Sequence, residues 1–120
     1  MSKLPHDHGT SEEFLNTRPD EEVFGTASDM FSLIGDSTRL KILWLLCHSE
    51  ECVINIAAAI DMSSPAVSHH LKVLRQQGLI TQRREGKEVY YTLAKTREAE
   101  IVHVAVDDML DIKCRKEQER

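Results

Sequence analysis

Residues 63–80 read SSPAVSHHLKVLRQQGLI and carry a run of side chains with chemistry to spare. Short hydroxyls (Ser63, Ser64, Ser68), two adjacent imidazoles (His69, His70) and two cations (Lys72, Arg75) interrupt an apolar spine. Adjacent residues of a helix point about 100° apart, so His69 and His70 cannot chelate one ion together. Small polar groups near a helix N-terminus do suit the base edges and phosphates of a DNA major groove. Helix-terminal N–H groups add phosphate contacts. Ser63, Ser64, Ser68, His69 and His70 are therefore candidate DNA contacts, with Lys72 and Arg75 suited to phosphates; the alternative is an idle solvated surface. A second group lies near the C-terminus. His103, Asp107, Asp111 and Cys114 recur at spacings of four, four and three, so they share one helical face. That mixture of N, O and S donors fits zinc or another first-row ion; its alternative is an ordinary polar stripe.

Several elements must position these groups. Residues 1–20 are polar, with prolines at 5 and 19, and read as a flexible arm before a domain over 21–120. From Glu21 the pattern is helical, with Val23, Met30, Phe31, Leu33 and Ile34 on one face and Gly35 as its stop. A second helix follows in DSTRLKILWLLCHSE, capped by Asp36 or Ser37. Leu40, Ile42, Leu43, Leu46 and Cys47 give it a broad buried face. CVINIAAAIDM is a short apolar helix, and DMSS turns the chain. Ser64 caps the next helix with Pro65 at its first position, where a missing N–H costs nothing. Val67, Leu71 and Leu74 face inward, and Gly78 ends the helix as a left-handed cap. Two helices joined by a tight turn make a helix-turn-helix. LITQRREGKEVYYTL alternates on either side of REGK and reads as a β-hairpin with a basic tip, hence a wing bearing Arg83, Arg84 and Lys87. A long last helix follows, with Thr96 as cap. The fold class expected is mainly α with a small β-hairpin, a winged helix-turn-helix.

Composition narrows the function. The 120 residues carry a net charge of −5. Residues 62–92 nevertheless hold five basic and two acidic side chains, whereas residues 1–30 hold two and seven. Positive charge is thus concentrated on the helix and wing described above. The three cysteines, Cys47, Cys52 and Cys114, are odd in number and form no CxxC pair, which fits a reducing compartment. No run approaches about 20 apolar residues, and the N-terminus lacks a signal-type apolar core, so a cytoplasmic protein away from membranes is expected. No Gly-rich phosphate loop, GxSxG or HExxH occurs, which argues against an enzyme.

GDSTRLKILWLL, VSHHLKVLRQQGLI and RREGKEVYYTL, in this order over roughly residues 24–93, together resemble the ArsR/SmtB family of metal-sensing bacterial repressors. The resemblance implies a winged-helix homodimer joined through its N- and C-terminal helices. It would bind operator DNA at a promoter and be released by an inducer. It also places Ser64, Ser68 and His69 where the family reads DNA. An apolar stripe on the last helix (Ile101, Val102, Ala105, Val106, Met109, Leu110) agrees with a dimer, since a monomer of this size would struggle to cover it.

The resemblance further implies two placements for an inducing metal. One lies where the family has a segment like E-L-C-V-C-D-L. Here it reads EECVINIA, so Cys52 matches the first cysteine and Ile54 replaces the second. Arm ligands complete that family site, and this arm offers His6, Asp7 and His8. The other lies on the last helix, where the family's ligand positions read Glu98, Glu100, Asp111 and Cys114. The inducer expected is Zn²⁺ or another divalent or thiophilic ion. A redox or persulfide signal, or no small inducer, is the alternative, and an adaptor that never meets DNA is the rival class. The basic wing argues against the adaptor.

Overall fold

The computed structural model describes residues 4–110, which fall into two units dividing between Ser32 and Leu33.

In the first unit, helix α1 (Glu12–Leu15) is a single turn. Its cap, Ser11, accepts a hydrogen bond from the Phe14 N–H at 3.0 Å. Helix α2 (Glu21–Ile34) begins beside Asp20, whose carboxylate accepts from the Val23 N–H at 3.1 Å. Of the apolar positions read from its sequence only Leu33 is buried, while Val23 and Phe31 are exposed, Phe31 to 72%.

In the second unit, helix α3 (Ser37–Cys47) starts at Asp36, which accepts from the Arg39 N–H at 3.0 Å. That bond holds the Asp36 carboxyl below its ordinary range. Strand β1 (Glu51–Cys52) follows, then helix α4 (Val53–Ile60), helix α5 (Ser64–Gln76), strands β2 (Ile80–Glu85) and β3 (Glu88–Leu93), and helix α6 (Arg97–Met109). Between α4 and α5, Asp61 takes the left-handed conformation at φ 60°. The core gathers Ile42, Leu43 and Leu46 of α3, Ile56 and Ile60 of α4, Val67, Leu71 and Leu74 of α5, then Leu79, Ile80, Val102 and Val106. Every α5 position expected to face inward does so.

Two details differ from the sequence reading. Ser63, not Ser64, caps α5, accepting from the Ala66 N–H at 3.3 Å, so Pro65 sits one position further in. Either of two adjacent serines can cap, and a proline is tolerated throughout a first turn whose N–H groups have no helical partners. The sheet also has three strands, in the order β1-β3-β2. Cys52, read as the start of a helix, instead pairs with the wing opposite Tyr90, and Glu51 before it lies opposite Tyr91.

Gly78 ends α5 as expected. It has φ +79°, its N–H donates to the Arg75 carbonyl at 3.1 Å, and the Leu79 N–H donates to the Leu74 carbonyl at 3.1 Å. This is a Schellman turn with buried Leu79 beyond it. A Cβ at Gly78 would meet no atom within 4 Å, so Gly78→Ala has only the backbone conformation against it. The expected loss is about 1–2 kcal/mol in urea denaturation.

Candidate nucleic-acid interface

Helix α5 presents a polar face opposite its leucine spine. Ser63, Ser68, His69, Lys72 and Arg75 are exposed, and Ser64 is half-buried. Neither Lys72 nor Arg75 forms an ion pair among the described residues, so both charges stay available to an anion. His70 departs from this group. It is half-buried, and its Nδ1 accepts a long hydrogen bond, 3.4 Å, from Arg39 Nε. Arg39 in turn donates to the Leu33 carbonyl at 3.0 Å. His70 thus faces the beginning of α3, and His69, its ring centroid 5.8 Å away, is the imidazole left in solvent.

The wing is a two-residue turn of Gly86 and Lys87 joining β2 and β3, with Glu85 paired to Glu88. Gly86, at φ +64°, occupies the first central position, which the favoured hairpin turns reserve for such a residue. Beyond Ile80 the whole of β2 is exposed. Arg84 and Lys87 carry no ion pair among the described residues. Arg83 is engaged by the protein itself. Its guanidinium donates to both oxygens of Glu50 at 2.8 Å and to Glu85 at 2.6 Å, and it lies 4.9 Å from the Tyr90 ring centroid. These bonds hold the Glu50 carboxyl below its usual range and raise the guanidinium above its own. Of the three wing cations read from the sequence, two therefore point outward uncommitted and one is neutralised. Glu50, the more distant of its two carboxylate partners, carried no signal because it lies 33 positions away.

Residues able to hold a metal are scattered among the elements. His6 and His8 stack 6.0 Å apart in the first unit, beside Asp7. Cys52 lies in the second, half-buried at the end of β1. Glu98 and Glu100 are exposed on the first turn of α6. Asp111 and Cys114 lie outside the described residues. His103 and Asp107 come together as their spacing requires, with His103 Nε2 3.2 Å from Asp107 Oδ2. A third residue joins them. His48, immediately after α3, places Nε2 2.9 Å from Asp107 Oδ1. It is 59 positions from its partner, and no local spacing in the sequence could have revealed it.

The profile described as "Bacterial regulatory protein, arsR family" matches residues 36–82, from the cap of α3 into the wing. A transcriptional repressor SmtB homolog of Synechocystis is 45% identical over 56% of this chain and 51% of its own length. The cadmium resistance transcriptional regulatory protein CadC of Listeria innocua is 35% identical over 68% of this chain and 70% of its own. The chain thus spans about half the length of the SmtB homolog and over two thirds of that of CadC. Among solved structures, the homodimeric winged helix-turn-helix domain of Mb0332 from Mycobacterium bovis superposes with a TM-score of 0.65 at 28% identity, over 78% of this chain and 88% of that one. With the winged-helix architecture and this identity to CadC both in place, the chain belongs to the ArsR/SmtB family of bacterial regulatory proteins.

Proposed function

We propose that the protein is a transcriptional repressor that binds a promoter operator as a dimer and is released by a metal ion, zinc or a similar divalent ion. The observation that carries this reading is the exposed face made by Ser68, His69, Lys72 and Arg75 on α5, with Arg84 and Lys87 on the adjoining wing. Hydroxyl and imidazole groups offer hydrogen bonds to base edges, and the uncommitted cations offer charge to phosphates. Dimerisation is supported by large apolar side chains left in solvent on α6 (Ile101, Val104, Met109) and at its C-terminal cap (Leu110), and by the homodimeric Mycobacterium relative. Only part of the apolar stripe read from the sequence remains for a partner, because Val102 and Val106 enter the chain's own core. Metal control is supported by the cadmium-resistance and SmtB repressors among the relatives, and by imidazole, carboxylate and thiol groups here. Such a metal would have to prefer a dimer geometry whose recognition helices miss successive major grooves. A coupling of about 1–3 kcal/mol would change operator affinity about 5–150-fold.

Fluorescence anisotropy of a labelled promoter fragment, with and without zinc, tests this. His69→Ala is expected to weaken operator binding about 5–150-fold for each half-site, the equivalent of one base contact per protomer at about 1–3 kcal/mol. Its dimer should be unchanged by gel filtration. Unchanged affinity in that variant would remove His69 from the reading face.

A further inference from the structure

Three side chains that DNA binding does not use converge where α3 meets α6. His48 caps the end of α3, while His103 and Asp107 are one turn apart on α6. The Asp107 carboxylate lies between two imidazole Nε2 atoms, 2.9 Å from one and 3.2 Å from the other. The two rings stand edge to face, centroids 5.1 Å apart at 76°. One donor atom from each of the three residues falls within 4.8 Å of the other two.

Two imidazoles and a carboxylate are a donor set that zinc takes in proteins. Bonds of about 2.0–2.2 Å around a tetrahedral centre put neighbouring donor atoms about 3.3–3.5 Å apart. The 2.9 and 3.2 Å separations run to different oxygens of Asp107, and one donor from each residue lies within 4.8 Å of the others, so side-chain rotations would open the group around an ion. Packing of α3 against α6 fixes both backbones beforehand, which lowers the ordering cost of binding. The side chains of His48, His103 and Asp107 are 30%, 25% and 14% exposed. An ion can therefore reach the group from solvent. His103 also borders a groove lined by Cys47, Thr92 and Glu100.

We infer that His48, His103 and Asp107 form a binding site for a first-row divalent cation, zinc foremost, complete within one protomer. The site requires neither an arm histidine nor a ligand from a partner chain. Its regulatory meaning rests on the metal-released repressor reading. An ion here would tie the C-terminal end of α3 to α6, and the other end of α3 touches the recognition helix through Arg39 and His70.

The test is titration of the reduced, metal-free full chain with Co²⁺ and Zn²⁺, for the native protein, His48→Gln and Asp107→Asn. Helicity and thermal midpoint of each variant confirm folding. The native chain should bind one tetrahedral Co²⁺ whose spectrum has d–d bands without a thiolate-to-cobalt charge-transfer band. His48→Gln, altered outside the helix body at a partly exposed position, should bind at least about tenfold more weakly, since losing even an outer partner of a metal ligand costs about 10–100-fold. Equal affinity in folded His48→Gln, or a charge-transfer band from the tightest-bound Co²⁺, overturns the site. Anisotropy on the same samples separates the two readings. Loss of metal binding in His48→Gln, with native operator affinity indifferent to metal, would uphold the site and sink metal-released repression.

Discussion

Raising salt from 50 to 200 mM is expected to weaken operator binding by about 10³–10⁵-fold. Lys72, Arg75, Arg84 and Lys87 are exposed and unpaired among the described residues. Two protomers then bring about eight cations to the phosphates, within the range of contacts for which released counterions produce a loss of that size. The acidic net charge of −5 does not oppose this, because the surface charge facing DNA is local. Arg84→Ala should reduce the slope of log affinity against log salt by about two for the dimer, one per protomer. Arg83→Ala should change it far less, because Glu50 and Glu85 already neutralise that guanidinium. Operator binding indifferent to salt would mean that these cations do not meet phosphates, and no binding even at 50 mM salt would point to an adaptor that uses the fold without DNA.

The second large effect is on stability. Leu71 is 1% exposed in the middle of the spine that seats α5, with Val67 and Leu74 fully buried on either side. Leu71→Ala removes a buried isobutyl group and leaves a cavity, at an expected cost of about 2–5 kcal/mol. A domain of this size has about 5–15 kcal/mol in all, so the thermal midpoint should fall by on the order of 10 °C or more. Native and variant proteins must be compared at one protomer concentration, because the proposed dimerisation would shift the midpoint. Ser68→Ala, three positions earlier but exposed, should leave the midpoint nearly unchanged while weakening DNA binding. A Leu71→Ala midpoint within a degree or two of native would mean that α5 is not anchored by its leucines.

What the sequence made legible followed local rules. The inward positions of α5 follow from spacings of three and four, the Gly78 turn from the conformation only glycine adopts cheaply, and the wing from alternation around a glycine-containing turn. What it concealed were pairings between distant segments. The β1–β3 ladder rests on two residues, too few to show any alternation. The engagement of Arg83 by Glu50 and the inward turn of His70 toward Arg39 are likewise tertiary facts, separated by 33 and 31 positions. The same holds at α6, where Val102 and Val106 enter the core while Ile101 and Met109 of the same apolar stripe stay in solvent; their spacing alone gives no sign of which.

The short strand before α4 has a mechanical consequence. A wing attached only through its own hairpin could swing and adapt to grooves of differing width. Here the middle of β3 is paired with the segment that launches the helix-turn-helix, and the Glu50 carboxylate holds Arg83 of β2. Helix and wing therefore travel as one lever, and the reach of a single protomer along a duplex is a fixed length. In a dimer, the distance between half-sites becomes a property of the seam between subunits alone, so whatever shifts that seam changes which operators can be spanned.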